Sequence, residues 1–204
     1  MFAAASVLAA YLLGSIPFAY FAGRLLRGID LRQHGSGNLG ATNVYRVLGA
    51  TAAIVVLLFD AAKGTIPVVV LPSLAHLDGA WWPALVGIAA IVGHVRPFFG
   101  LFRGGGKGVA TASGVFAALA PVPFAASFVT FLIVVAVTRY VSVASILGSA
   151  ALAFTLLVRE GPASPLSVVG LVMTGFVVWT HRANIGRLRR GEEARLGRPG
   201  GATR

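Results

Sequence analysis

The chain has 204 residues, 57% of them hydrophobic and only 11% charged, with a mean hydropathy of +0.85. A soluble domain carries about a quarter charged residues, so the composition excludes a soluble globular protein and describes a single integral membrane domain over residues 1–204. The net charge of +11 does not point to a nucleic-acid partner, because the basic residues crowd the ends of apolar stretches, as membrane topology requires.

Apolar spans are predicted at about 2–26, 50–72, 80–97, 108–120, 122–138, 141–158 and 165–180. The fold class is therefore all-α, a polytopic membrane helix bundle of about seven helices. The first span has no basic residue before it; the first cation, Arg24, follows it. It reads as an uncleaved span with the N-terminus outside. Pro121 and Pro123 interrupt the stretch 108–138, and helices seldom run through such a pair. Two crossings there, or a re-entrant hairpin, would place the Arg-rich C-terminus in the cytoplasm with Arg24, Arg27, Arg32, Arg46, Arg96, Arg103, Lys107 and Arg139. Residues 192–204 read as a flexible basic tail.

Three polar motifs sit at span ends on this expected cytoplasmic face. The first runs from His34 to Asn43, with Arg46, in the loop after span one. Gly35, Gly37 and Gly40 permit positive φ and bring backbone N–H groups near a ligand. Ser36, Asn38, Thr42 and Asn43 offer neutral hydrogen bonds, and Arg46 offers a fork for phosphate. A plain turn needs less than this. The second motif is Phe102-Arg103-Gly104-Gly105-Gly106-Lys107-Gly108, leading into an apolar helix whose N-terminus attracts anions. It lacks the Walker pattern, so a nucleoside triphosphate is not implied. A flexible exit loop with a snorkelling lysine would look similar, but Lys107 is one of only two lysines in an arginine-rich chain. The third motif, His181-Arg182-Ala183-Asn184-Ile185 with Arg187, is expected on a helix continuing from the last span. His181 could act as general base or phosphate donor; a basic interfacial helix on anionic lipid is the plainer reading, and it suffices for Arg189, Arg190, Arg195 and Arg198.

Asp60 and Lys63 lie three residues apart within the second span, on one helix face, and read as a structural ion pair. His94, near the end of span three, is a candidate for the same pocket as the motifs. Several chemistries are excluded. Cysteine is absent, which removes disulfides, thiolate nucleophiles and zinc–sulfur sites. No acid cluster suits magnesium. No His precedes an Asp by five residues, and no Ser sits in G-x-S-x-G.

Taken in order, Ser36 to Asn43 with Arg46, Asp60-Ala61-Ala62-Lys63-Gly64, Gly93-His94 through Phe98, Gly105 to Thr111, Val141 to Ser145, and His181 to Ile185 with Arg187 and Glu193 resemble the bacterial acyl-phosphate glycerol-3-phosphate acyltransferase family from about Gly14 to Gly191. The resemblance implies a multi-pass enzyme of the bacterial cytoplasmic (inner) membrane, with about seven helices and its active site facing the cytoplasm. It implies transfer of a fatty acyl group from acyl phosphate to the sn-1 hydroxyl of glycerol 3-phosphate, giving lysophosphatidate and inorganic phosphate. This is the first step of bacterial phospholipid synthesis, without metal or other cofactor. It implies catalytic roles for Ser36, Arg46, Lys107, His181 and Asn184. Substrate binding would fall to Gly37, Asn38, Thr42, Asn43, His94, Gly104, Gly105, Gly106, Gly108, Arg182 and Arg187. Asp60, Lys63 and Glu193 would be structural. The expected partners are the two substrates and membrane lipid, and a monomer is the working expectation. Two other classes fit less well: a transporter gated by Asp60 and Lys63, whose site should lie near the midplane, and a lipid-binding scaffold using the basic tail.

Overall fold

The computed structural model describes residues 2–100 and 103–197, and every regular element among them is helical. The chain is an all-α polytopic membrane protein, and it forms two compact units, Met1–Leu119 and Ala120–Arg204.

The first unit holds α1 (Phe2–Gly14), α2 (Phe18–Arg27), a 3-10 turn at Leu31–Gln33, α3 (Ala41–Leu48), α4 (Ala50–Leu74), α5 (Trp81–Val95) and α6 (Val109–Leu119). The expected first span is present as a 26-residue apolar stretch, Phe2–Arg27, but it is broken at Ser15-Ile16-Pro17. Pro17 has no amide hydrogen and its ring opposes a continuous helix. Pro67 and Pro72 do not break α4 in the same way; in a membrane helix, neighbouring groups can satisfy the carbonyls that a proline frees.

α4 is the centre of this unit, packing on α1, α3, α5 and α6. Its crossing with α6 is close because both sides are small. A Cβ on Gly64 would overlap the Thr111 carbonyl, and one on Gly114 would overlap that of Ala61. Thr65 Oγ1 donates across the same crossing to the Gly114 carbonyl at 2.8 Å. α1 meets α5 similarly, Gly14 against the Ala90 carbonyl and Gly93 against that of Tyr11. Apolar surface gives helices little reason to associate in lipid, so backbone approach and interhelical hydrogen bonds carry the packing.

The first motif was expected to be all loop. Its second half is instead α3, a two-turn amphipathic helix. Val44 on α3 is buried with Ala19, Leu31, Leu39, Ala53 and Val56. This apolar contact ties α3 down beside α2 and α4.

The second unit holds α7 (Pro121–Thr138), α8 (Val141–Glu160), α9 (Pro165–Thr180) and α10 (Arg182–Arg189). α7 starts at Pro121, in the first turn, where a missing amide hydrogen costs nothing. α8 packs on α7 and α9, helped by Ser127 Oγ donating to the Gly148 carbonyl (2.7 Å) and Thr174 Oγ1 to that of Ser149 (2.9 Å). The helix expected to continue through the third motif does not. It breaks at His181, and α10 leaves α9 at 55°.

Among the described residues, five helical stretches are long and apolar enough to cross a membrane: Phe2–Arg27, Ala50–Leu74, Trp81–Gly100, Pro121–Thr138 and Val141–Glu160, with the bent α9–α10 pair a sixth if it counts as one span. The segment expected at 108–120 is shorter, with α6 having 11 residues. At 1.5 Å per residue it reaches about 16 Å, roughly half the ~30 Å hydrocarbon core.

Candidate active site

In the first unit the first two motifs come together. The chain leaves α2, turns at Leu31–Gln33 and presents Ser36, which is exposed. Gly35 and Gly37 take φ of +61° and +70° as expected, whereas Gly40 is extended at −132° and starts α3. Asn43 was expected to contact substrate. It is instead buried and spent on the loop itself: Oδ1 accepts from the Ser36 amide at 2.8 Å, and Nδ2 donates to the carbonyls of His34 (3.0 Å) and Leu31 (3.3 Å). A buried amide so used is a brace that orients Ser36 rather than a ligand group. Thr42 and Arg46 lie four residues apart on α3, so they share a face, and Arg46 is exposed.

Arg32, counted from sequence only as a topological charge, turns out to connect the two motifs. Its guanidinium forks onto Asp30 (Nη2–Oδ2 2.6 Å, Nε–Oδ1 3.0 Å), and that hydrogen-bonded guanidinium holds the Asp30 carboxyl below the usual carboxylate range. Its aliphatic stem packs so closely on Gly104 that a Cβ there would overlap it. The Asp-x-Arg spacing signals the Asp30 pair alone; the Gly104 contact has no local sequence signal.

The second motif arcs from Arg103 to Gly108; Leu101 and Phe102 lie outside the described residues. Gly106 donates its amide to the His94 carbonyl at 3.1 Å. Gly108, at φ +82°, turns the chain into α6, and its carbonyl accepts the Ala112 amide at 2.8 Å. Lys107 is half-buried just ahead of that helix start. The arrangement combines backbone N–H groups, a helix N-terminus and an ammonium group, which suits a phosphate.

Beneath the loop lie Asp60, Lys63 and His94, all buried. Lys63 Nζ is 2.7 Å from Asp60 Oδ1 and donates to the Ile16 carbonyl at the α1–α2 break (2.9 Å). His94 was expected to bind substrate, but it lies behind the glycines, its Nδ1 3.6 Å from Asp60 Oδ1.

In the second unit the third motif is organised by Glu193. Its Oε1 accepts from Asn184 Nδ2 (2.5 Å) and from Ser142 Oγ (2.9 Å), and its Oε2 accepts from Arg187 Nε (2.7 Å). Burial pushes the Glu193 carboxyl up, but these three donors outweigh it and hold the group below the ordinary glutamate value. Residues 192–197, expected to begin a flexible tail, are thus anchored. The Leu196 amide also bonds the Arg139 carbonyl (2.7 Å), and Arg195 Nε donates to Tyr140 Oη (3.1 Å). The remaining tail, 198–204, lies outside the described residues. Arg187, expected on substrate, has its Nε on Glu193. Arg182, likewise expected, is exposed and stacks on Trp179 with its guanidinium 4.6 Å from the ring centre. His181 is buried at the α9–α10 break, with Nδ1 2.8 Å from the Val177 carbonyl. A carbonyl only accepts, so Nδ1 carries the hydrogen, and in the neutral ring Nε2 is the basic nitrogen.

Residues 4–191 match the family described as glycerol-3-phosphate acyltransferase. The chain belongs to that family. It is 45% identical to the glycerol-3-phosphate acyltransferase of Synechococcus elongatus over 199 residues, covering 95% of this chain and 94% of that one. It is 44% identical to that of Geobacillus kaustophilus, covering 95% and 96%. The fold is that of PlsY (YgiH), an integral membrane glycerol 3-phosphate acyltransferase solved in crystals. The glycerol 3-phosphate form aligns with a TM-score of 0.88 at 40% identity over 96% of each chain. The lysophosphatidic acid form aligns with a TM-score of 0.85 at 39% identity, covering 96% of this chain and 95% of that one. The protein is accordingly a bacterial integral membrane acyltransferase that acts on glycerol 3-phosphate.

Proposed function

We propose that the acyl donor is acyl phosphate and that the acyl group goes to the sn-1 hydroxyl, giving lysophosphatidate and inorganic phosphate as the first step of bacterial phospholipid synthesis. The site faces the cytoplasm from the inner membrane. The observation that carries this reading is the Gly104–Gly108 loop running into the start of α6 beside the braced Ser36 loop. That is a phosphate cradle in the same unit as a second set of phosphate-competent groups.

Acyl phosphate is a mixed anhydride with a good leaving group, so no covalent nucleophile is needed. The hydroxyl oxygen attacks the carbonyl carbon, and the bond from that carbon to the phosphate oxygen breaks. The hydroxyl proton passes to the departing phosphate or to a base, a role the family resemblance offers to His181. The enzyme's task is to hold two phosphates and align a hydroxyl with a carbonyl. Lys107 and Arg46 grip phosphate, loop amides other than that of Gly106, which the His94 carbonyl holds, supply backbone N–H groups, and Ser36, Asn38 and Thr42 supply hydrogen bonds. Asn43 acts through Ser36. His181 and Asn184 are assigned to turnover by the family resemblance, with Glu193 holding Asn184.

The test uses purified protein in detergent with palmitoyl phosphate and glycerol 3-phosphate, and neither metal nor coenzyme A. Phosphate and lysophosphatidate should appear in equal amounts, and both should be lost in Lys107→Ala and Ser36→Ala. Turnover with palmitoyl coenzyme A but not palmitoyl phosphate would overturn the donor assignment. Accumulation of unmodified glycerol 3-phosphate inside proteoliposomes would support transport instead.

A further inference from the structure

The buried charges of the first unit are more than an isolated pair. A single carboxylate, Asp60, sits between Lys63 and His94, and it meets the glycine loop through the second of these. The His94 ring lies so close to Gly106 that a Cβ there would overlap Nε2, and the His94 carbonyl holds the Gly106 amide at 3.1 Å. Gly105 packs on the carbonyls of His94 and Val95 with equal closeness. A cavity of about 10 Å³ lies among Asp60, Lys63, His94, Gly105 and Gly106. On its far side the same carboxylate fixes Lys63, whose ammonium caps the Ile16 carbonyl. Ser15, one residue earlier, accepts the Phe98 amide at 3.2 Å, so the chain on both sides of the loop's support is tied to the α1–α2 break.

A buried ion pair is weak evidence for stability, since desolvation can offset the attraction. Asp60 is nine-tenths buried or more, and the groups that face its carboxylate are Lys63 Nζ and His94 Nδ1. Its one evident use is to fix the two side chains around it, Lys63 and His94. The ring on the loop side is pressed against the residue immediately before Lys107.

We propose that His94, clamped between the Asp60 carboxylate and Gly106, is a positioning residue that sets the place of the Gly105-Gly106-Lys107 segment and thereby the affinity for the phosphate of glycerol 3-phosphate, without touching that substrate. This rests on the reading of the loop as the phosphate site. Removing the imidazole lets the loop settle inward and carries Lys107 with it. Weakening one hydrogen bond to a charged group costs roughly tenfold in affinity.

Two measurements test it: steady-state kinetics with palmitoyl phosphate, and direct calorimetric titration with glycerol 3-phosphate alone. His94→Ala should raise both KM and Kd for glycerol 3-phosphate roughly tenfold, with KM for palmitoyl phosphate and kcat changed by less than about threefold. His94→Asn, which keeps a nitrogen facing Asp60, should recover part of that loss. Gly106→Ala should weaken binding in the wild-type background, where the added methyl meets the ring, and do so much less in the His94→Ala background, a coupling expected of residues in contact. If His94→Ala lowers kcat in step with the folded fraction and leaves both glycerol 3-phosphate constants at wild-type values, the residue is structural and the proposal fails. Additive Gly106 and His94 effects would sink it equally. Failure of the underlying reading looks different: wild-type protein would itself neither bind nor turn over glycerol 3-phosphate, and the proposal would fall with it.

Discussion

Glu193 offers the sharpest test of how the third motif is held. Its carboxylate accepts three side-chain hydrogen bonds, from Asn184, Ser142 and Arg187. Hydrogen bonds to a charged group contribute about 1.5–3 kcal/mol each, and stranded buried donors add a penalty. The Arg187 bond is partly exposed, at 36% of its side chain, and is discounted toward ~1 kcal/mol for screening. Because the three donors act as one network, Glu193→Ala is expected to cost about 3–5 kcal/mol rather than the arithmetic sum. Glu193→Gln keeps an oxygen for Asn184 and Ser142 and loses the charge facing Arg187, so it should cost only about 1–2 kcal/mol. Denaturant unfolding of both variants in the same detergent measures the difference. Acid gives an independent handle. The folded-state carboxyl lies below its ordinary value, so its contribution is fully present above the unfolded glutamate pKa of about 4.3 and is lost as pH falls through the lower folded value. That acid limb should vanish in Glu193→Gln. Equal destabilisation by Ala and Gln would mean that charge, not the hydrogen bonds to Asn184 and Ser142, holds the motif, and the reasoning above would be wrong.

Other outcomes follow from particular contacts. Asn43→Ala should cost about 1–3 kcal/mol and lower activity through Ser36, while Asn43→Asp should do no better, since a carboxylate would face the carbonyls of Leu31 and His34; unfolding and turnover assays read both. Gly114→Ala drives a methyl into the Ala61 backbone and should destabilise by at least ~1–3 kcal/mol, whereas Gly175→Ala, with nothing within 4 Å, should be tolerated in the same thermal scan. His181→Gln separates the two proton acceptors: a fall in kcat of roughly a hundredfold or more marks His181 as the base, and near wild-type kcat across pH assigns the proton to the leaving phosphate.

Much of the candidate site was legible because its residue types are costly where they stand. Two amides, a serine and an arginine beside paired glycines exceed what a turn requires, and a lone lysine after three glycines is unusual in an arginine-rich chain. The roles within the motifs were less legible. Asn38 and Asn43 look alike in sequence, yet Asn43 is consumed by the backbone of its own loop. That depends on how α3 folds back against Leu31, a contact twelve residues away. His94 reads as a ligand group until the Gly106 backbone is found against its ring. Arg32 reads as a topological charge until Gly104 is found on its stem. The end of the chain reads as a solvated basic tail, yet Glu193 is held by Asn184, by Arg187 and by the buried Ser142 on a helix some fifty residues earlier.

By itself, the sequence determined that the chain lives in a membrane, that it is built of helices and roughly where they run, because hydrocarbon admits only long apolar segments whose backbone is satisfied internally. It also narrowed the chemistry on offer, since glycine, amide and guanidinium groups at span ends suit an anionic group such as phosphate. The tertiary structure decided which of those groups face outward and which are spent as braces, where Pro17 breaks a helix while Pro67 does not, and that one buried aspartate reaches the glycine loop through His94. Those outcomes depend on side-chain and backbone contacts between segments far apart in the chain, and local sequence carries no information about a partner it has not yet met.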